Sequence, residues 1–165
     1  MKFLIKLPLL ALVAVFTFIS CTTDSIDEKA ESLQLKVLNP KTKAIEVEIL
    51  ELINDHRLSL GLNPLDKMAL VKSVAFTHTD YMVDVGEVSH ANFFTRSNYL
   101  KENAGAKTVS ENVAYGYSSA ESVVRAWLKS DGHKANIEGD YSNFEVSAEE
   151  NADGKWYYTN IFIKK

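Results

Sequence analysis

An α+β fold, with helices covering a small antiparallel sheet, is the architecture this sequence predicts. Two periodicities carry the prediction. Up to about residue 130 apolar residues recur at three- and four-residue spacings, and from Phe144 onward they alternate with polar ones. Glycines and small polar residues stand where one pattern gives way to the next. Several helices followed by a hairpin read as one layered α+β domain.

The first helix is predicted over Lys43 to Leu60, where Ile49, Leu50, Ile53 and their neighbours form an apolar stripe. Thr42 is the expected N-cap and Gly61 the stop, and Gly61-Leu62-Asn63-Pro64-Leu65 reads as a turn. Asp66 is expected to cap a second helix ending at Val85, with Val71, Val74, His78 and Met82 on one side and Gly86 as terminator. Asn92 to Thr95 reads as a loop, with Thr95 capping a short helix through Asn103. Ser118 and Glu121 form a predicted capping box for a helix running to Ser130, ended by Gly132. The alternations around Phe144 to Glu149 and Trp156 to Ile163, joined by Asn151-Ala152-Asp153-Gly154, predict an antiparallel hairpin.

The amino terminus reads as an export signal. Lys2 and Lys6 precede an uncharged stretch from Leu7 to Ile19, shorter than the ~20 residues a membrane helix needs. Phe18-Ile19-Ser20-Cys21 has the form of a lipobox, with a small residue before a cysteine that would carry lipid. The expected division is therefore a lipoprotein signal over 1–20, a flexible lipid-anchored tether over 21–41 and a domain over 42–165. The membrane is the partner implied by a lipid on Cys21. Thr22, where an aspartate would favour inner-membrane retention, tilts the expectation to the outer membrane.

Without residues 1–20, 145 remain, enough for a single core. Lys2 and Lys6 leave with the signal, so 18 basic residues become 16 against 22 acidic ones, a balance of −6. Scattered acidic charge argues against nucleic acid, which is held through Lys and Arg on phosphates. With Cys21 the only cysteine, disulfides cannot hold the domain and packing must.

Three segments resemble the CAP superfamily of cysteine-rich secretory, antigen 5 and pathogenesis-related proteins, and its bacterial branch in particular. They are Ile53-Asn54-Asp55-His56-Arg57 with the turn after it, Ser110-Glu111-Asn112-Val113-Ala114-Tyr115-Gly116, and Trp127-Leu128-Lys129-Ser130-Asp131-Gly132-His133-Lys134-Ala135-Asn136-Ile137. Their order and spacing agree with the family across about Ile45 to Ile163. The resemblance implies an α-β-α sandwich with a cleft lined by histidines and acids. His90 matches the first cleft histidine and Glu111 the first cleft acid. The second glutamate and second histidine of eukaryotic relatives are replaced by Ser130 and Tyr157. The bacterial branch instead has histidines where His78 and His133 stand. Eukaryotic members bind sterols or lipids.

Read without the family, His56 is a surface residue, His78 points inward from a helix, His90 sits in a loop, and His133 lies near a helix C-terminus where the dipole favours a cation. If folding brings His78, His90, Glu111 and His133 together, they form a candidate ligand-binding cleft. His90, Glu111 and His133 are the subset that would hold a divalent metal such as zinc, because imidazole and carboxylate suit first-row ions. The same groups suit general acid–base work. The sequence holds no Gly-x-Ser-x-Gly elbow, Cys-x-x-Cys, His-Glu-x-x-His or phosphate loop. No catalytic residue is therefore assigned. The expected role is recognition of a small ligand or envelope protein. A metal-dependent envelope hydrolase or peptidase and a purely structural envelope protein stand as alternatives.

Overall fold

The computed structural model describes residues 38–165. The expected signal, Cys21 and the tether as far as residue 37 lie outside them. The elements in order are α1 (Ala44–Ser59), β1 (Asp66–Lys67), α2 (Ala69–Val85), α3 (Phe93–Ala104), β2 (Thr108–Tyr115), α4 (Ala120–Leu128), α5 (Asp131–Glu138), β3 (Asn143–Glu150) and β4 (Trp156–Lys164). The sheet order is β1-β3-β4-β2. β4 runs antiparallel to both neighbours, while β1 joins β3 in parallel. The sheet is therefore mixed rather than wholly antiparallel. The parallel strand is the short stretch at Asp66, the residue expected to cap α2, and Met68 takes the capping position instead.

Alternation along the strands sorts the core into two layers. Phe144, Val146, Ala148, Tyr158 and Phe162 face α1, α4 and α5, packing with Ile49, Ile53, Val123, Trp127 and Ile137. Ile161 and Ile163 face the other way, against Val71, Val74, Ala75 and Leu100 of α2 and α3. The result is an α-β-α sandwich. β4 is central, and Tyr157 through Ile163 are all buried, so its alternation is one of partners rather than of exposure.

Several local expectations give way. α1 is capped by Lys43 rather than Thr42, with the Glu46 carboxylate accepting from the Lys43 N–H at 2.8 Å. α3 begins at Phe93, because Asn92 adopts a left-handed conformation (φ 58°) that starts the helix three residues before Arg96. The α4 cap is the reciprocal pair Ser119 and Ser122, one position on from the predicted box. Gly132 does not stop a helix. α4 ends at Leu128, Ser130 turns extended (φ −102°, ψ 120°), and a separate helix, α5, contains Gly132. The expected tether reaches residue 41, yet the Leu38 N–H already donates to Ser73 Oγ on α2 at 2.7 Å. Among the described residues, no helix is long and apolar enough to cross a membrane.

Candidate functional site

The first motif acts as a brace. Asn54 holds Leu65 by both backbone groups, accepting its N–H at 2.8 Å and donating to its carbonyl at 3.1 Å. Arg57 is buried and donates to three carbonyls, of Asn63, Ile137 and Gly139, at 2.7–2.9 Å. Burial pulls its pKa down, partly offset by Asp140. Together these two side chains tie α1 to the following turn and to the end of α5. His56 is half-buried rather than a bare surface group, and pairs with Glu138 of α5 at 2.8 Å.

The second and third motifs meet on β2. Asn112 donates to the His133 carbonyl at 3.0 Å, and Asn136 donates to Asn112 Oδ1 at 2.8 Å. α5 is thereby docked on β2 with His133 in its first turn, not near a helix C-terminus. The positive end of the helix dipole now lies beside the ring, so a cation is disfavoured there. Burial, and after it His90, pulls the His133 pKa down.

Glu111 points to the opposite face of β2 and is buried. Arg96 of α3 forks it, Nε donating to Oε2 at 2.9 Å and Nη2 to Oε1 at 2.8 Å. His90 Nδ1 lies 2.9 Å from the same Oε1. The acceptor is a carboxylate, so Nδ1 carries the proton and donates. Burial on its own would raise the Glu111 pKa, but the His90 hydrogen bond and the Arg96 guanidinium outweigh it and hold the carboxyl below the usual range. The Arg96 carbonyl bond, Nη1 to Ala91 at 2.6 Å, pins the loop that carries His90.

His78 is sealed beneath this loop, its side chain 1 % exposed. Its Nε2 donates to the Ser89 carbonyl at 2.8 Å, while Glu111 Oε1 stands 3.9 Å away. Burial, reinforced by Arg96, depresses its pKa to about 4, so near neutral pH the ring is uncharged and its Nε2 proton is committed to Ser89. His78 therefore supports the His90 loop from below and does not line the cleft.

The cleft itself encloses about 570 Å³ between the two helical layers at the β2 edge. His90 comes from one layer and His133 and Ser130 from the other, with Tyr115 and Tyr117 on the rim and Trp127 on the floor. Of the four predicted cleft residues, two line it. Glu111 stands behind His90 and His78 lies under its loop. Because His90 turns Nδ1 inward to Glu111, its Nε2 edge is the one available to the cleft.

The residues do not suit a resident divalent ion in this arrangement. Both Glu111 oxygens are engaged by Arg96, and a cation there would sit against a guanidinium. Among the described residues, no group of three or more His, Cys, Asp or Glu stands placed to hold a metal.

The sequence reading missed Arg96. Phe93, Arg96, Leu100 and Ala104 share one face of α3, and starting the helix at Thr95 hides that spacing.

A three-layer sandwich with a carboxylate-backed imidazole in an edge cleft defines an SCP-type domain. The model of the cysteine-rich secretory protein family, CAP, matches residues 50–162, and the chain belongs to that family. It is 32 % identical over 124 residues to the "uncharacterized membrane protein YlbC" of Bacillus subtilis, a match covering 73 % of this chain and 34 % of that one. The chain thus spans about a third of that relative's length. An SCP-domain extracellular protein of Bacillus anthracis superposes with a TM-score of 0.63 at 25 % identity, covering 78 % of this chain and 45 % of that one. An outer surface protein of Borrelia burgdorferi shares the fold, with a TM-score of 0.66 at 20 % identity over 78 % of this chain and 99 % of that one.

Proposed function

We propose that this is a non-catalytic recognition domain, lipid-anchored through Cys21 on the outer side of a bacterial membrane, that holds a ligand or partner in the His90/His133 cleft. The observation that carries the reading is the chain Arg96–Glu111–His90. Two buried charged groups are committed to orienting one half-exposed imidazole, 53 % exposed at its side chain, toward an open hollow. A purely structural domain has no use for such an arrangement at its surface. The lipobox-like Ser20-Cys21 and the membrane and extracellular descriptions of the relatives support the location. In this reading Glu111, Arg96 and His78 are positioning residues, and His90 and His133 touch the ligand.

Site-specific photo-crosslinking in intact cells tests it. A crosslinker at Tyr117 on the cleft rim should yield adducts that one at exposed Glu102 does not, and His90→Ala with His133→Ala should abolish them. Equal adducts at both positions, or cleft adducts indifferent to the two histidines, would overturn the reading. Labelling with a palmitate analogue should be lost in Cys21→Ser, and retained label would remove the anchor.

The His90–Glu111 bond also favours a second reading, a hydrolase in which His90 Nε2 activates water. Turnover of envelope peptides or polymers that disappears in His90→Ala would establish it.

A further inference from the structure

β2 is an edge strand, and its outer side is unevenly covered. The register with β4 is unbroken from Thr108 to Tyr115, and the Gly116 N–H donates to the Trp156 carbonyl at 2.8 Å. That phase turns the even residues toward β4 and leaves the backbone groups of Glu111, Val113 and Tyr115 facing outward. Two outer carbonyls are met by side chains. Asn136 donates to that of Glu111 at 3.3 Å and Trp127 Nε1 to that of Val113 at 3.1 Å. The next, at Tyr115, has no such cap among the described residues. It belongs to an exposed residue on the cleft wall. An edge of this kind is a template for one more strand.

The charge of the cleft points to the same class of guest. In a chain with 22 acidic residues, none of the described residues lining this hollow is Asp or Glu. Its polar groups include the rings of His90 and His133 and the hydroxyls of Ser130, Tyr115 and Tyr117, and among the described residues no Lys or Arg lines it. Glu111, the carboxylate behind His90, does not line the hollow and is paired with Arg96. An anion entering the cleft therefore meets the hydroxyls of Ser130, Tyr115 and Tyr117 and, among the described lining residues, no acid.

Building on the recognition reading above, we propose that the guest is an extended peptide with a free carboxylate, its main chain paired to the β2 edge at Tyr115 and its carboxylate between His90 and His133. The groups facing His90 are Glu111 from β2, Arg96 from α3, His78 from α2 and His133 from α5. Donation from His90 Nε2 to a carboxylate requires a proton on that nitrogen, because Nδ1 is already committed. Ordinary peptides from the cell envelope that end in a free carboxylate are the chemical class that fits.

Three probes on the full-length chain in detergent, with histidine rings isotope-labelled, test this. They are acetyl-Thr-Val-Thr-Ala with a free carboxylate, the same peptide as its carboxyl amide, and the free acid N-methylated at alternate residues. The free acid should shift both His90 and His133 ring signals, and bind about tenfold tighter than the amide, the worth of one charge-assisted hydrogen bond. N-methylation, which removes strand donors without altering charge, should weaken binding several-fold. Acid and amide binding equally in the cleft would overturn the carboxylate while leaving the recognition site standing. Indifference to N-methylation would overturn the strand pairing. No shift of either ring with any probe would overturn the whole proposal, while the crosslinking result would still report on the cleft by itself.

Discussion

Glu111→Gln is the sharpest perturbation this structure offers. The Glu111 and Arg96 side chains are 1 % and 5 % exposed, and the fork between them makes two charge-assisted bonds at 2.8–2.9 Å. Glutamine is nearly isosteric, so packing is kept. It removes the charge and one of the acceptors and strands a buried guanidinium. Removing one member of a buried pair costs about 3–5 kcal/mol, and the retained amide oxygen places this variant near the lower end. For a domain of this size that is a fall in Tm of about 10 °C. The pH dependence follows from the sign of the shift. The folded carboxyl sits below its ordinary value, so its contribution is complete above the unfolded pKa of about 4.3 and is lost as pH falls through the lower folded one. Urea unfolding of wild type and variant should therefore differ at about pH 6 and converge under strong acid. A double variant, Glu111→Leu with Arg96→Met, should recover part of the loss, because neither charge is then buried alone. A single-variant loss below about 1 kcal/mol near neutral pH, or one independent of pH, would refute the argument that this pair holds the His90 loop.

Other outcomes follow from the same physics. His78, with its pKa depressed to about 4 against about 6.5 when unfolded, should withdraw about 3 kcal/mol of stability as pH falls between those two values, and His78→Gln should flatten that limb in a stability–pH curve. Glu145 shows the opposite sign. Burial pushes its pKa up to about 7 despite Lys72, so its ionisation is resisted in the fold, and stability falls as pH rises from about 4.5 through 7. Glu145→Gln should be neutral at about pH 4 and stabilise by about 2 kcal/mol at about pH 8, and no gain at the higher pH would count against it. Arg57→Lys should lose about 2 kcal/mol, because an ammonium cannot span the three carbonyls of Asn63, Ile137 and Gly139, and chemical denaturation with an unchanged slope would register it.

The layered architecture and the residues that carry it were legible because they are written as local periodicity and as short motifs. The stripe of α1, the Asn151–Gly154 turn and the alternation of β4 each depend on neighbours within a few residues. Glu111 and His133 could be singled out for the same reason, lying in segments whose order matches a family, and His90 by its own match to the family's first cleft histidine. What the linear chain concealed was direction. Whether Gly132 ends one helix or opens another depends on Asn112 and Asn136 drawing α5 onto β2, and that decision moved His133 from the negative end of a dipole to the positive one. Whether His78 touches a guest depends on a loop eleven residues away covering it and accepting its Nε2 hydrogen bond.

From the sequence alone come the helical stripes, the closing hairpin, the acidic balance and the lipobox-like cysteine, all set by composition and spacing along the chain. The tertiary structure alone decided that Arg96 would neutralise Glu111, that β1 would run parallel to β3, and that the edge of β2 would border a hollow with no acid among its described lining residues. The first two arise from contacts between residues 15 and 77 positions apart, Arg96 with Glu111 and Asp66 with Asn143. Coulomb energy and hydrogen-bond geometry depend on distance in space, and distance along the chain does not encode it.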